Sequence, residues 1–188
     1  MSQEYFAELT DMFSRIEADS AGAGKLSVEP AVSGIIDRIG RAAKNGNKAI
    51  LVGNGGSASI ASHIATDLLK NAKISALAFN DASLLTCLSN DLGYQQVFSH
   101  PIEMLAKKDD ILFCISSSGR SANILNAASA GKKSGCFIVT LSGFDADNPL
   151  RKIGDFNFYL PSRSYGNVEI IHLAICHAIV DKLMEFQK

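Results

Sequence analysis

Residues 111–121 read Ile-Leu-Phe-Cys-Ile-Ser-Ser-Ser-Gly-Arg-Ser, and this stretch decides the fold. Its apolar half predicts a buried strand, and the helical pattern of residues 122–134 follows directly. Between strand and helix lie four serines and a glycine: Ser116, Ser117, Ser118, Gly119 and Ser121. Hydroxyl and N–H donors at a helix N-terminus, where the helix dipole adds partial positive charge, form a cradle for a phosphate group. One or two serines would suggest helix caps only, but four favour the phosphate cradle.

The order of strand, loop and helix repeats along residues 47–188. Helical patterns separate the strands, and a long last helix is expected from about Val168 to Phe186. Apolar strands alternating with helices indicate a doubly wound α/β domain, a parallel sheet covered on both faces, with functional loops at the carboxyl ends of the strands. The predicted strands are 49–52, 74–79, 111–116, 137–141 and 156–160.

Two helical patterns precede the first predicted strand. One spans residues 3–18, a break at 21–24 follows, and the second helix runs from Pro30 to Gly46. Helices with no preceding strand to cross over from often pack on a neighbouring subunit. We therefore expect residues 1–46 to lie at a subunit interface of an oligomer. The first helix carries an apolar stripe: Phe6, Leu9, Phe13 and Ile16.

The composition indicates one domain, residues 1–188, that acts on a small molecule. The chain has 188 residues, of which 47% are hydrophobic, enough for a core of its own. Its 18 basic and 19 acidic residues give a net charge of −1, so neither nucleic acid nor a membrane surface is an expected partner. A signal-peptide pattern and a spanning apolar run are lacking, which predicts a cytoplasmic protein. Four cysteines without C-x-x-C spacing are expected to be core residues: Cys87, Cys114, Cys136 and Cys176.

The loop after the first core strand has two interpretations. Residues 53–58, Gly-Asn-Gly-Gly-Ser-Ala, satisfy the dinucleotide pattern G-x-G-x-x-A, and Asp81 stands where a ribose-binding acid is expected. However, the following helix carries His63 and Asp67, polar groups that a dinucleotide does not require. A dinucleotide site also needs only one loop for its pyrophosphate, so it would leave the second anion-binding loop at residues 116–121 without a function. We therefore expect no nucleotide cofactor.

Two histidines and two carboxylates form a second set of candidate site residues. His63 and Asp67 are four residues apart and share one helix face. Glu169 and His177 are eight apart on the last helix, about 80° apart around its axis. The set suits either acid–base chemistry or a first-row metal ion, and both remain open from the residues alone. The other histidines are expected to be core or interface residues: His100 and His172.

Taken together, these motifs resemble the sedoheptulose-7-phosphate isomerases, or phosphoheptose isomerases, of the sugar isomerase (SIS) domain group. The likeness covers nearly the whole chain. It implies a flavodoxin-like SIS domain with a five-stranded parallel sheet and two leading helices, assembled as a homotetramer with active sites at subunit interfaces. The motifs that carry it are Gly53-Asn54-Gly55-Gly56-Ser57 with His63, Asn90-Asp91, the serine loop, and Val168 to His172 continuing to His177.

The resemblance also implies roles for individual residues. His63 and His177 match zinc ligands in members that bind the metal, and His177 matches the catalytic acid. The family's catalytic glutamate falls on Asp67 and its glutamine ligand on Glu169, so all four are candidate metal ligands. Asp67, Glu169 and His177 are the candidate catalytic residues. The candidate substrate-binding residues are Asn54, Gly55, Gly56, Ser57, Asn90, Asp91, Ser116, Ser117, Ser118 and Ser121.

The implied function is the isomerisation of sedoheptulose 7-phosphate to D-glycero-D-manno-heptose 7-phosphate through an enediol, in the synthesis of heptose precursors for lipopolysaccharide or capsule. Asp67 or Glu169 would be the base and His177 the acid, and zinc could act instead as a Lewis acid. The alternative is a non-catalytic SIS protein, either a sugar-phosphate sensor or a regulator that binds the replication initiator. The retained histidines and carboxylates favour the enzyme.

Overall fold

A sheet of seven strands runs through the computed structural model, which describes residues 2–185. Its strand order is β2-β1-β7-β6-β5-β3-β4, and the five strands from β3 to β7 are parallel. The predicted five-stranded parallel sheet is therefore confirmed as the central part of a larger sheet. The strands are β1 Glu17–Ser20, β2 Gly24–Leu26, β3 Ala49–Gly53, β4 Ala76–Ala78, β5 Ile111–Ser116, β6 Phe137–Ser142 and β7 Phe156–Tyr159.

Seven helices of the described residues surround this sheet. Short 3₁₀ turns at Tyr94–Gln96 and Pro149–Lys152 complete the secondary structure, and the predicted end of the last helix at Phe186 lies outside the described residues. None of these helices is both long and apolar enough to cross a bilayer within residues 2–185. The helices are α1 Ser2–Ser14, α2 Val28–Lys44, α3 Gly56–Lys70, α4 Ala82–Leu92, α5 Ser99–Leu105, α6 Ala122–Lys133 and α7 Tyr165–Glu185.

β5 shows how the sequence produces a sheet buried on both faces. Successive side chains of a strand point to opposite faces, so its uninterrupted apolar run supplies two cores. One core contains apolar residues of α2, α3 and α7, and the other contains those of α4, α5 and α6. This arrangement confirms the doubly wound α/β fold. Ile111, Phe113 and Ile115 enter the first core, and Leu112 and Cys114 enter the second.

A β-hairpin of residues 17–26 covers the predicted break at 21–24 and the last residues of the first predicted helix, which ends at Ser14 instead of residue 18. β1 and β2 pair antiparallel, and β1 also pairs antiparallel with β7 at the edge of the parallel sheet. Arg151 fixes the hairpin there, because its guanidinium lies 2.7 Å from Glu17 and 3.5 Å from Asp19. The sequence prediction was wrong at this point, since the strands are short, polar and stabilised by a residue far along the chain.

The cysteine prediction is confirmed for three residues and wrong for the fourth. Cys114, Cys136 and Cys176 are buried, whereas Cys87 is exposed on α4. A hydrogen bond to Asp91, together with the negative charge of that carboxylate, raises the pKa of the Cys87 thiol. Burial raises the pKa of Cys176 to about 12, so this thiol stays protonated and behaves as a small apolar side chain.

The order of the strands places two loops side by side. From β3 the chain proceeds to β4 on one side, and it then returns to β5 on the other side of β3. Ligands bind at such switch points, outside the carboxyl ends of the two adjacent strands. The loop that follows Gly53 and the serine loop that follows Ser116 meet at this crevice.

Candidate active site

A cavity of about 250 Å³ opens where β3 and β5 end. Eight of the ten candidate substrate-binding residues line it: Asn54, Gly55, Gly56, Ser57, Ser116, Ser117, Ser118 and Ser121. Ile115, Tyr165 and Glu169 complete its wall. The first four residues follow β3, and the others belong to the loop after β5. Because β3 and β5 are parallel neighbours, both loops leave the same edge of the sheet and the two groups meet there.

The serines of the second loop keep polar atoms available for a ligand. Ser121 is the N-cap residue of α6, but its side chain makes no capping hydrogen bond. Its Oγ lies 3.4 Å from that of Ser116. The buried Ser117 Oγ has no hydrogen-bond partner among residues 2–185. A buried hydroxyl without a partner is unfavourable, so the loop suits a bound polar group better than capping alone does.

The backbone of the serine loop is held by the segment after β6. Gly119 has φ +59°, and a Cβ atom added to it would overlap the side chain of Asn148. The Leu150 N–H donates to the Gly119 carbonyl at 3.2 Å. The Asn148 amide donates to the Asp145 carbonyl, and its oxygen accepts from the Arg151 N–H. These bonds fix the loop before a ligand binds, which lowers the entropy lost on binding.

Glu169 on α7 lies over the start of α3. A Cβ atom added to Gly56 would overlap the Glu169 carboxylate, so a side chain at position 56 would displace this carboxylate. Glu169 and Gly56 also line an adjoining cavity of about 300 Å³, which His63 reaches. Glu169 therefore stands where the serine-loop cavity meets the part of the site that carries His63.

His63, Asp67 and His177 converge although α3 and α7 are far apart in sequence. Their ligand atoms all lie within 4.8 Å of one another. The two Nε2 atoms are 3.3 Å apart, and Asp67 Oδ2 lies 3.4 Å from His63 Nε2 and 3.9 Å from His177 Nδ1. Asp67 Oδ1 accepts a hydrogen bond from Asn71. Glu169, the fourth candidate ligand, is not part of this group among the described residues.

Two of the candidate substrate-binding residues stand apart from the cavity. Asn90 and Asp91 lie exposed near the end of α4, where the Asn90 amide donates to the Asp91 carboxylate at 2.8 Å. Neither residue lines the serine-loop cavity. Tyr165, in contrast, lines this cavity and was missed, because it stands at the first position of α7 outside any motif.

The remaining histidines lie outside the site. His172 is buried, its Nε2 is 3.1 Å from the Ser142 carbonyl, and desolvation lowers its pKa to about 4. The prediction of a core residue is confirmed for His172. His100 lies exposed on α5.

Comparison with known proteins shows the family of this chain. The family model described as "SIS domain" matches residues 4–143. The chain belongs to the SIS domain family, among the phosphoheptose isomerases. The phosphoheptose isomerase of Helicobacter hepaticus is 36% identical over 161 residues, which are 82% of each chain. That of Glaesserella parasuis is 37% identical over 150 residues, 77% of each chain. The structure of the phosphoheptose isomerase from Neisseria gonorrhoeae superposes with a TM-score of 0.85 at 25% identity, covering 97% of both chains.

The donor set of this SIS-family chain fits a zinc ion. Two imidazole nitrogens and a carboxylate oxygen are ligands that zinc accepts, and a three-residue protein set leaves a further position open. His63, Asp67 and His177 supply these atoms within 4.8 Å of one another.

Two contacts near the glycine loop of this SIS-family chain differ from those expected in a dinucleotide-binding site. Asp81 is the N-cap of α4, and its carboxylate accepts the Leu84 N–H at 2.9 Å. The Glu169 carboxylate lies against Gly56 at the N-terminus of α3, where a dinucleotide would place its pyrophosphate. Asp81 and the N-terminus of α3 thus have partners within the chain at the two places where the dinucleotide pattern would put a cofactor.

Proposed function

We propose that the chain is a phosphoheptose isomerase, which converts sedoheptulose 7-phosphate to D-glycero-D-manno-heptose 7-phosphate. The observation that carries this proposal is the continuity of the site. The serine-loop cavity includes Glu169, the adjoining cavity is lined by Glu169 and His63, and His63 in turn lies beside Asp67 and His177. A sugar phosphate has a matching layout, with a charged phosphate at one end and the reacting carbons at the other.

The serine loop binds the phosphate in this proposal. Its hydroxyls and the N-terminus of α6 provide donors and partial positive charge. Because the phosphate does not react, its binding energy holds the carbonyl end of the sugar in place. Tyr165, with an exposed ring at the cavity, contacts the sugar from the α7 side.

The reaction requires one base and one acid. The base removes a proton from carbon 1 of the ketose while the acid protonates the oxygen on carbon 2, which gives an enediol. Return of a proton to carbon 2 and loss of the proton on oxygen 1 produce the aldose, so no oxidant or reductant is needed. Asp67 or Glu169 is the base, and His177 is the acid. A positioned acid–base pair contributes roughly 10²–10⁴-fold to the rate.

His63 and His177 would hold a zinc ion together with one carboxylate, that of Asp67 or that of Glu169. When bound, the metal would supply Lewis-acid stabilisation of negative charge on the sugar oxygens, in place of the proton from His177. A carboxylate bound to a metal is a weaker base, so the carboxylate that does not bind the metal would be the base. The zinc content of the purified protein tests this assignment, and His63→Ala should lower it.

The assembly and setting of the protein are also proposed. The exposed aromatic rings of Phe6 and Phe13 on α1 suit an interface in a homotetramer with active sites between subunits. His63 and His177 are also partly exposed, so a neighbouring subunit could complete the site. Heptose precursors for lipopolysaccharide or capsule would be made in the cytoplasm.

The test is incubation of the purified protein with sedoheptulose 7-phosphate and detection of an aldoheptose phosphate. Turnover that depends on Asp67 and His177 would support the isomerase. Binding of the sugar phosphate without turnover, in protein loaded with zinc and in protein without it, would contradict the isomerase and indicate a sugar-phosphate sensor.

A further inference from the structure

We propose that Asn123 and Tyr94 are positioning residues, which fix the amide of the candidate substrate-binding residue Asn54 as a hydrogen-bond donor to the phosphate. Asn54 lines the serine-loop cavity, and both other residues bond its side chain. The inference deepens the proposed function, because it rests on phosphate binding by this loop. It adds two positioning residues that no sequence motif identified.

The hydrogen bonds that Asn54 already makes leave its side chain able to donate to a ligand but not to accept from one. Its Nδ2 donates to Asn123 Oδ1 at 2.9 Å, and its Oδ1 accepts from Asn123 Nδ2 at 2.9 Å. The same Oδ1 also accepts from the Tyr94 hydroxyl at 2.8 Å. An amide oxygen has two lone pairs and an amide nitrogen has two hydrogens. The oxygen is therefore saturated, and what remains for a ligand is one N–H.

The two partners differ in burial, which gives them different roles. Asn123 is only 3% exposed and stands in the first turn of α6, two residues after Ser121. A reciprocal amide pair at such a buried position is rigid, because breaking it would leave polar groups without partners. Tyr94 is 55% exposed and reaches Asn54 from the 3₁₀ turn after α4. Asn123 sets the plane of the amide, and Tyr94 occupies its second lone pair.

A site that can only donate matches a group that can only accept. The phosphate oxygens are such acceptors, whereas sugar hydroxyls both donate and accept. α6 carries Ser121 of the phosphate cradle and Asn123, so one rigid helix sets the position of Asn54 relative to the serine hydroxyls. This connection joins the β3 loop and the β5 loop into one phosphate site.

The experiment measures the affinity of three variants for inorganic phosphate by titration calorimetry. Asn54→Asp keeps the shape but replaces the donor with a negatively charged acceptor, and it should weaken binding at least about tenfold, since a bond to a charged group is lost. Tyr94→Phe and Asn123→Ala free the Asn54 oxygen and should weaken binding about three- to tenfold. With sugar phosphate, the latter two should raise KM and leave kcat within about twofold, because phosphate binding is equally strong in ground and transition states.

Ser129→Ala is the matched control. Ser129 lies exposed further along α6, so its removal should leave phosphate affinity unchanged. An Asn54→Asp protein that binds phosphate as tightly as the parent would overturn the proposal. So would Tyr94→Phe, which keeps the exposed ring, if it matched Ser129→Ala in phosphate affinity. Because inorganic phosphate is the probe, these results are independent of which sugar the enzyme isomerises.

Discussion

At the scale of single residues, the chemistry depends on two carboxylates with different surroundings. Asp67 is held by Asn71 and lies beside both histidines. Glu169 lies against Gly56, closer to the serine-loop cavity. The resemblance implies a glutamate at position 67 and a glutamine at position 169, so Asp67 is one methylene shorter and Glu169 adds a charge. The site thus offers two carboxylates that differ in reach and in surroundings.

The first prediction is that Asp67 and His177 act as a unit. Asp67→Ala and His177→Ala should each lower kcat by about 10²-fold or more, because each removes one member of an acid–base pair. The double variant should lose little more than the worse single variant, since residues that act together are non-additive. Steady-state kinetics with sedoheptulose 7-phosphate measures this.

Asp67→Glu and an exposed histidine provide the controls. Retained activity in Asp67→Glu would mean that the site tolerates either length of carboxylate, whereas lost activity would mean that it is adapted to aspartate. His100→Ala, on exposed α5, should have parental kinetics. Parental turnover in both Asp67→Ala and His177→Ala would show that these residues do not carry the reaction.

The second prediction concerns the serine loop. Replacing Ser118 and Ser121 together by alanine should remove two donors to a charged acceptor, each worth about 1.5–3 kcal/mol of binding free energy. Stability should change little, because the Ser121 side chain makes no capping bond and the bond that Ser118 Oγ accepts from the Arg120 N–H is local and exposed. Titration with sugar phosphate measures the effect, and Ser129→Ala on the same helix is the control. Unchanged affinity in the double variant would reduce the loop to a structural turn.

At the scale of secondary-structure elements, the apolar stripe predicted for the first helix lies in two different surroundings. Leu9 on α1 and Ile16, which follows the end of α1 at Ser14, pack partly against the core. The rings of Phe6 and Phe13 on α1 are 63% and 46% exposed. Asn167 at the start of α7 donates to Glu8 and so holds α1 beside the site. The helix therefore presents its aromatic residues outward while remaining attached to the domain.

The third prediction is that these outward rings pack between subunits. Phe6→Glu combined with Phe13→Glu should yield smaller species by light scattering, because burying two carboxylates in an apolar interface is unfavourable. The folded monomer should persist, as both rings are exposed within it. Gln3→Glu combined with Thr10→Glu places the same charge at exposed polar positions of α1 and should keep the parental assembly. An unchanged mass in the phenylalanine variant would rule out this interface.

At the scale of the whole molecule, His172 links stability to pH. The buried His172 has a pKa lowered to about 4 from 6.5, because burial disfavours the charged ring. The unfolded chain takes up a proton below about pH 6.5 and the folded protein does not. The free energy of unfolding therefore falls as pH decreases from about 6.5 toward 4.

The fourth prediction follows from this difference in pKa. Between pH 7 and pH 5, His172 should account for about 2 kcal/mol of lost stability, measured by urea unfolding at one protein concentration. His172→Gln keeps a donor for the Ser142 carbonyl but does not titrate, so its stability should depend less on pH. His100→Gln, at an exposed position, should retain the parental dependence. Equal pH dependence in all three proteins would contradict the assignment.

By itself, the sequence determined the strands of the parallel sheet, the helices between them and the two loops that form the cavity. These features follow from local periodicity and from glycine and serine at strand ends, so neighbouring residues are enough to reveal them. The parallel sheet then requires the two loops to meet at one edge, which is why Asn54 and Ser118 were correctly expected in one region.

Only the tertiary structure decided the contacts that depend on distant parts of the chain. The hairpin at residues 17–26 forms because β1 pairs with β7 at the edge of the sheet and because Glu17 binds the guanidinium of Arg151, 134 residues away. Glu169 lies over Gly56, and Asn123 bonds Asn54 across 69 positions. Such pairs leave no periodic signal, because their partners are selected by the packing of helices on the sheet. The packing thus set the geometry of the site, for which the sequence supplied the residues.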